Sequence, residues 1–313
     1  MATDEVLLPA GDAVWKRPRK GKGWQVVERA VTSGNAVRGA GPDTVLTGLI
    51  GMDIQSSRSP WMHMREAEAQ GIALRYELFD LAREGHSAAD LAATLDSAQR
   101  AGFAGVNVTH PFKQRVMALL DRVSEEARAI GAVNTVVFGT DGRVGYNTDS
   151  SGFAEGFERQ LSGADTGKVV QIGAGGAGAA TAMAMVNLGC RELVIVDPQG
   201  DRADDLVSRL PGQIARVATD IAAELAAASG LINATPIGME GYPGTPLDTK
   251  LLRPDLWVAD VVYFPLETEL LRAARRVGCR TAHGGDMAVF QAARAFDLFT
   301  GHRADRERMA ANF

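Results

Sequence analysis

The chain is poor in cysteine: Cys190 and Cys279 are the only two among 313 residues, and they lie far apart. No metal-binding spacing can be built from them, so the sequence predicts no metal site. Each is followed by an arginine at a predicted junction between a helix and a strand. We expect both to act as small apolar residues near the core.

Long apolar runs and an excess of positive charge are also absent. No uninterrupted apolar stretch is long enough to span a bilayer, and the N-terminus lacks the basic-then-apolar pattern of a signal peptide. The 33 Lys and Arg residues are outnumbered by 38 Asp and Glu residues, so the overall charge does not favour nucleic-acid binding. These features predict a cytoplasmic protein with neither a membrane nor a nucleic-acid partner.

One basic stretch, at 16–22, runs against this acidic balance. It belongs to a weakly patterned segment that reaches to about residue 42. A tail that binds nucleic acid or an anionic surface would explain the charge, and so would a solvated extension. We expect 1–42 to be a flexible N-terminal extension.

From residue 44 onward, short apolar runs alternate with amphipathic stretches, which predicts an α/β fold. The first part of this pattern predicts strands at 45–50, 75–79 and 105–108, helices at 60–70 and 88–101, and a β-hairpin over 132–146. The second part predicts strands at 169–172, 193–196, 215–218, 230–233, 257–262 and near Thr281, and helices at 151–161, 179–188 and 287–300. The chain is long enough for two domains, each with its own core.

A glycine-rich turn joins the predicted strand 169–172 to the helix after it. Its residues are Gly173, Ala174, Gly175, Gly176, Ala177 and Gly178. Asp197 closes the next apolar run about twenty residues further on, and this order of strand, glycines, helix, strand and acid is typical of dinucleotide sites. Gly173 permits the tight turn, Gly175 lets a pyrophosphate approach the backbone, and Gly178 lets the helix pack closely on its strand.

The acid at the end of the second strand indicates which dinucleotide binds. Asp197 would accept hydrogen bonds from the adenosine ribose, and its charge would repel the 2′-phosphate of NADP. The pyrophosphate would meet unpaired N–H groups and the positive end of the helix dipole. The sequence therefore predicts NAD as the cofactor. The alternative is a glycine-rich turn in a domain that binds no nucleotide.

Four polar clusters fall on predicted strand ends or adjoining loops, where α/β proteins place ligand contacts. They lie at 57–60, 107–113, 132–135 and 147–149. Together they supply short hydroxyls, amides, one ammonium and one carboxylate, a set that suits a small polyhydroxylated acid. Each has another interpretation: Ser59 could cap a helix, Lys113 could be a solvated first-turn residue, and Asp149 could cap the helix at 151–161.

At these residues the sequence resembles the shikimate/quinate dehydrogenase family. The resemblance extends from Val45 to about Met309, and its marks stand at 51–63, 107–113, 131–135, 147–149, 173–178, 233–239, 260–263 and 285–291. It implies an N-terminal α/β substrate domain at 43–148, completed by helices at about 287–313. It further implies an NAD-binding domain at 149–286, a Rossmann-type, doubly wound parallel sheet, with a cleft between the two.

The activity implied by the resemblance is oxidation of the C3 hydroxyl of shikimate or quinate to the 3-dehydro ketone. Lys113 and Asp149 match the catalytic pair, and we assign the proton transfer to the pair because the sequence does not decide between them. The implied substrate contacts are Ser57 and Ser59 for the carboxylate, Asn107, Thr109, Asn134 and Gln291 for the ring hydroxyls, and Tyr263. The implied cofactor contacts are the glycine-rich turn, Asp197, Thr235, Met239, Val262 and Gly285.

Two departures set the chain apart from the biosynthetic, NADP-using branch of the family. Asp197, Pro198 and Gln199 stand where that branch usually has a basic turn, and Asp53 and Ser56 stand where it usually has Pro and His. Both resemble the NAD-dependent quinate/shikimate branch, which serves catabolism. We expect oxidation of both acids.

Two alternatives to this activity stay open. One is a paralogue that acts on a related ring such as aminoshikimate, and the other is a non-catalytic NAD-binding sensor. The presence of both Lys113 and Asp149 argues against the sensor. We expect a monomer or a homodimer.

Overall fold

The computed structural model describes residues 14–16, 25–27, 43–82, 90–140, 142–311 and 313. Within the predicted extension at 1–42 it describes two short strands, β1 (Val14–Lys16) and β2 (Gln25–Val27), which pair antiparallel. The weak patterning did not predict this pair, although valine and tryptophan fit an extended chain. The rest of the predicted extension lies outside the described residues.

The first of two large sheets is mixed and has six strands, in the order β4-β3-β5-β7-β8-β6. Their bounds are β3 (Val45–Gly51), β4 (Leu74–Asp80), β5 (Gly105–Val108), β6 (Arg122–Val123), β7 (Thr135–Gly139) and β8 (Gly142–Tyr146). The strand β3 pairs parallel with β4 and β5, and β7 pairs antiparallel with β5 and β8. The predicted hairpin over 132–146 is the pair β7 and β8.

The second sheet is fully parallel and has six strands, in the order β11-β10-β9-β12-β13-β14. Their bounds are β9 (Lys168–Ile172), β10 (Glu192–Val196), β11 (Ala215–Val217), β12 (Gly230–Asn233), β13 (Trp257–Asp260) and β14 (Arg280–Ala282). The strand order reverses between β9 and β12. A reversal of this kind opens a ligand crevice at the carboxyl ends of the two strands.

Helices cover both sheets. Their bounds are α1 (Ser59–Ala69), α2 (Leu91–Arg100), α3 (Glu125–Ile130), α4 (Thr148–Leu161), α5 (Gly176–Asn187), α6 (Gly200–Arg209), α7 (Ile221–Leu225), α8 (Glu269–Val277), α9 (Gly285–Thr300) and α10 (Arg306–Ala311). Short 3₁₀ turns lie at Arg115–Leu119, Pro211–Gln213 and Thr249–Leu251. None of the described helices is long and apolar enough to cross a membrane.

The helices α4 and α9 pack together and join the two sheets. The helix α4 leads from the end of β8 to the second sheet, and α9 returns from the end of β14 to pack on the first. Close packing depends on Gly152, where an added Cβ atom would lie 2.6 Å from the Gln291 nitrogen. The site residues near the start of α4 are therefore held against α9.

Several helix starts differ from the sequence-based predictions, and two of them concern predicted site residues. The helix α4 begins at Thr148 rather than at 151, because Asn147 caps it by accepting a hydrogen bond from the Asp149 amide. Asp149 is thus a first-turn residue and not the cap. The helix α1 begins at Ser59, preceded by Arg58 with no side-chain cap, so the interpretation of Ser59 as a cap was wrong.

Both cysteines lie in the core, as predicted. Cys190 and Cys279 are buried, and each is a free thiol. Burial raises the pKa of Cys190 to about 11 and also raises the pKa of Cys279. Neither side chain is therefore a reactive thiolate near neutral pH.

Candidate active site

The acid–base pair predicted from the sequence is formed in the structure. Lys113 follows β5 and Asp149 lies in the first turn of α4, and Lys113 Nζ is 2.7 Å from Asp149 Oδ2. The lysine side chain is about one-third exposed (31%) and the carboxylate only 12% exposed. The ammonium group is thus accessible to a ligand, while the carboxylate behind it is largely shielded from water.

Two asparagines hold Asp149 in place. Asn134 Nδ2 donates to Asp149 Oδ1 over 2.9 Å, and Asn147 Oδ1 accepts from the Asp149 amide over 3.0 Å. All three residues are buried. One carboxylate oxygen is therefore fixed by the Asn134 amide and the other engages Lys113, while Asn147 fixes the backbone of Asp149.

Asn134 makes further hydrogen bonds around the start of α4. Its Nδ2 also donates to Thr148 Oγ1 over 3.0 Å, and its Oδ1 accepts from the Thr148 amide over 2.8 Å and from Thr135 Oγ1 over 2.9 Å. Both amide protons are thus engaged within the protein. Orientation of Asp149 by Asn134 was not predicted from the sequence. The predicted contact of Asn134 with a ring hydroxyl stays a prediction.

A tyrosine that the sequence reasoning missed connects two predicted substrate residues. Tyr76, on β4, donates its hydroxyl to Asn107 Oδ1 over 2.8 Å and is itself hydrogen-bonded to the Ser59 side chain. Asn107 Nδ2 in turn donates to Thr135 Oγ1 over 3.1 Å. Burial raises the pKa of Tyr76, which therefore stays a neutral donor. No local motif marks this tyrosine, because its partners lie on other elements.

The other predicted substrate residues lie around this network. Ser57 is half-buried, and its Oγ accepts from the Ser59 amide over 3.3 Å. Thr109 packs against Gly51 at the end of β3, where an added Cβ atom would lie 2.5 Å from the Thr109 methyl carbon. Gln291, on α9, lies beside Gly152, and Gly152 is one helical turn after Asp149 on α4. Hydrogen bonds thus link Ser59, through Tyr76, Asn107 and Thr135, to Asn134 and the Lys113–Asp149 pair. Ser57, Thr109 and Gln291 lie on the adjoining segments.

The glycine-rich turn has a backbone shape that fits a pyrophosphate. Gly173 has a φ of 104°, a conformation that favours glycine, and an added Cβ atom on Gly178 would lie 2.2 Å from the Gly173 oxygen. Gly175 and Gly176 have no atoms within 4 Å of an added Cβ atom, so their outer face is open. The helix α5 starts there without a side-chain cap, which leaves its first N–H groups free for an anion.

Two buried polar residues brace this turn and were not predicted. Gln171, on β9, donates from Nε2 to the carbonyl oxygens of Gly173 and Gly178 over 2.9 and 2.8 Å. Thr181 Oγ1 donates to Gln171 Oε1 over 2.8 Å. A glutamine inside an otherwise apolar strand is the sequence signal that could have identified this brace.

Asp197 lies at the end of β10, beside the turn. Its Oδ2 accepts from the Ala174 amide over 2.7 Å and its Oδ1 from the Gln199 amide over 2.8 Å. Each carboxylate oxygen keeps a lone pair for a ribose hydroxyl. The free N–H groups, the open glycines and the Asp197 oxygens therefore fit NAD. The negative charge of Asp197 opposes the 2′-phosphate of NADP.

The remaining predicted cofactor and substrate residues lie at the carboxyl ends of β12, β13 and β14. They are Thr235, Met239, Val262, Tyr263 and Gly285. Met239 is 37% and Tyr263 50% exposed. Exposed apolar groups at the mouth of a crevice are suited to cover a flat ring.

Comparison with known proteins agrees with this arrangement. The chain matches the model of the shikimate dehydrogenase substrate binding domain over residues 49–136 and that of the shikimate 5'-dehydrogenase C-terminal domain over residues 284–311. It is 48% identical over 278 residues to the quinate/shikimate dehydrogenase (NAD(+)) of Corynebacterium efficiens, covering 87% of this chain and 98% of that protein.

Two further relatives differ in cofactor. The shikimate dehydrogenase (NADP(+)) of Streptomyces avermitilis is 49% identical over 277 residues, covering 86% of this chain and 95% of that protein. The structure of the quinate dehydrogenase from Corynebacterium glutamicum in complex with NAD superposes with a TM-score of 0.83 at 46% identity, covering 87% of this chain and 99% of that one. At this identity over nearly the whole length of its relatives, the chain belongs to the shikimate/quinate dehydrogenase family, as its motifs predicted.

Proposed function

We propose that this protein is an NAD-dependent dehydrogenase that interconverts shikimate with 3-dehydroshikimate and quinate with 3-dehydroquinate. The observation that carries the proposal is the Lys113–Asp149 pair, 2.7 Å apart, in a chain whose glycine-rich turn is hydrogen-bonded to Asp197 at the end of the next strand. The relative from Corynebacterium efficiens is named a quinate/shikimate dehydrogenase (NAD(+)), and the structure from Corynebacterium glutamicum is a quinate dehydrogenase in complex with NAD. The reaction would place the enzyme at the shikimate pathway.

The acid–base pair accepts the proton of the C3 hydroxyl as the carbonyl forms. Lys113 lies nearer to solvent and meets the hydroxyl, and Asn134 and Asn147 fix Asp149 behind it. Lys113 takes up the hydroxyl proton as it passes one of its own protons to Asp149, so the pair gains one proton in all. NAD, when bound, would supply the hydride acceptor for C3. The alcohol thus loses one hydride and one proton, and the ketone is the product.

We assign the substrate-binding roles as the family resemblance implies. Ser57 and Ser59 bind the carboxylate, and Tyr263 lies on the substrate side of the cleft. The remaining polar residues bind ring hydroxyls: Asn107, Thr109, Asn134 and Gln291. Ser57 and Ser59 are small, so the pocket leaves room for the additional C1 hydroxyl of quinate. A pocket that does not exclude one hydroxyl discriminates only modestly between the two acids.

The cofactor and domain assignments complete the proposal. The glycine-rich turn and Asp197 would hold NAD, and Thr235, Met239, Val262 and Gly285 would hold its nicotinamide end. Substrate binds to 43–148 with 287–313, and NAD to 149–286. We further propose that the enzyme is cytoplasmic and acts as a monomer or homodimer.

A single set of assays tests this function. Initial rates are measured with NAD or NADP against shikimate or quinate, at millimolar concentrations of each acid. We expect NAD-dependent oxidation of both acids, with kcat/KM values within a factor of about 100 of each other. Activity on shikimate alone would reject the dual-substrate proposal. Inactivity toward both acids would favour a related ring such as aminoshikimate or, if NAD still binds, a sensor.

A further inference from the structure

Two buried side chains stand side by side at the nicotinamide end of the second sheet. Asn233 ends β12, Asp260 ends β13, and the two residues are paired in register. They are 0% and 2% exposed, and Asn233 Nδ2 donates to Asp260 Oδ1 over 2.9 Å. Their buried polar atoms need partners, because an unpaired buried polar group is costly.

Asn233 finds those partners in the turn that follows its own strand. Its Oδ1 accepts from the Thr235 amide over 3.1 Å and from Thr235 Oγ1 over 2.7 Å, and its Nδ2 donates to the Ile237 carbonyl over 3.0 Å. The Ile237 amide donates in turn to Thr235 Oγ1 over 3.2 Å. One side chain therefore fixes the turn 235–237 that leads to Met239.

Asp260 does the same for the neighbouring segment. Its Oδ1 also accepts from the Val262 amide over 3.0 Å, and its Oδ2 accepts from Thr268 Oγ1 over 2.8 Å. Among the described ion pairs Asp260 has no cationic partner. Its three donors are neutral groups that belong to β12, to the turn after β13 and to the cap of α8.

We propose that Asp260 is a positioning residue for hydride transfer, which it serves by tying the turn 235–237, through Asn233, to the backbone at Val262. The proposal rests on the proposed function, in which these two segments form the walls of the nicotinamide site. Asp260 touches neither cofactor nor substrate. Hydride transfer requires reacting atoms about 3–3.5 Å apart, and a misplacement of about 1 Å costs on the order of 100-fold in rate.

The test compares three variants of the full chain. Asp260→Ala leaves the Val262 amide and Asn233 Nδ2 without an acceptor. Asp260→Asn keeps an oxygen for both donors, and its amide can donate to Thr268 Oγ1. Val258→Ala is the control for lost stability, because Val258 is fully buried on the same strand and makes only apolar contacts in the core.

We expect Asp260→Ala to lower kcat at least ~10-fold while Kd for NAD changes less than ~3-fold, because the glycine-rich turn and Asp197 are untouched. Asp260→Asn and Val258→Ala should keep kcat within ~3-fold of wild type. Amide hydrogen exchange at Val262 should accelerate in Asp260→Ala alone. If Asp260→Ala does not fold, Asn233→Ala provides the same test, since it removes the link to 235–237.

Three results would overturn the proposal: normal kcat in Asp260→Ala, an equal loss of kcat in Val258→Ala at matched thermal stability, or equal damage in Asp260→Asn. Failure of the proposed function would look different. The wild-type enzyme would then oxidise neither acid, while exchange at Val262 and titration with NAD would still report whether Asp260 holds the two segments.

Discussion

The acid–base half of the site and the nucleotide half are held in different ways. Around Asp149, the polar side chains of 134–135 and 148–149 bond to one another, with Asn134 at the centre. Around the glycine-rich turn, the contacts are mostly with backbone N–H and C=O groups, braced by Gln171. The first half therefore depends on the identity of individual side chains, and the second on the path of the main chain.

The sharpest test of this difference is removal of the acid–base pair. Lys113→Ala and Asp149→Asn should each lower kcat at least ~100-fold, the usual scale for loss of a general acid or base. Kd for NAD should stay unchanged, because the backbone contacts of the other half persist. Steady-state kinetics and a fluorescence titration with NAD measure both. Lys250→Ala, at an exposed position, is the control, and more than about half of the wild-type kcat in either variant contradicts the assignment.

Asp197 is the exception in the nucleotide half, since there a single side chain selects the ligand. We expect kcat/KM with NAD to exceed that with NADP by at least ~100-fold, or ~2.7 kcal/mol. Asp197→Ser should narrow the gap by removing the repulsion without supplying a phosphate ligand. Parallel kinetics with the two cofactors test both statements. Equal or better use of NADP by the wild-type enzyme would refute the first.

The acid–base half of the site also depends on a buried side chain, that of Tyr76. Tyr76→Phe removes the donor to Asn107 Oδ1, and a buried acceptor left unpaired costs about 1–2 kcal/mol. We expect KM for shikimate to rise roughly 10-fold while Kd for NAD does not change. An equal rise in both constants would show that the substitution disturbs the whole fold rather than the substrate site.

The smallest expected effect is on the free energy of unfolding, and it arises from His63 on α1. His63 is fully buried among the rings of Tyr76, Phe296 and Phe299, and burial lowers its pKa to about 3. The unfolded chain therefore binds a proton below pH 6.5 that the folded chain does not, so stability is lost as the pH falls. Between pH 7 and 5.5 the loss is about 1 kcal/mol.

Denaturant unfolding of wild type and His63→Phe at both pH values measures this effect. The variant should lose less stability on acidification than the wild type does. Asp260 changes the stability in the opposite direction as the pH falls, because burial raises its pKa to about 6. Both proteins contain Asp260, so its contribution cancels when their pH profiles are compared. Parallel pH profiles for the two proteins would show that His63 does not titrate on unfolding.

Much of the fold followed from local patterns in the chain. Apolar runs predicted the strands of the parallel sheet, and the predicted strand at 230–233 coincides with β12. The first residues of the helices were predicted less accurately, because the position of a cap depends on one side chain. Asn147 caps α4, which therefore begins at Thr148 rather than near 151. The helices α3, α6, α7 and α8 were not predicted.

The sequence by itself determined the glycine-rich turn and the acid that favours NAD, because these depend on neighbouring residues, and its ordered motifs point to Lys113 and Asp149 as the acid–base pair. Only the tertiary structure decided which side chains hold them. Tyr76 bonds to Asn107 on β5, Asp260 bonds to Asn233 on β12 and to Thr268 before α8, and Gln171 bonds to Thr181 on α5. Their roles arise where strand ends from distant parts of the chain meet at one edge of a sheet and leave buried polar atoms that must be paired.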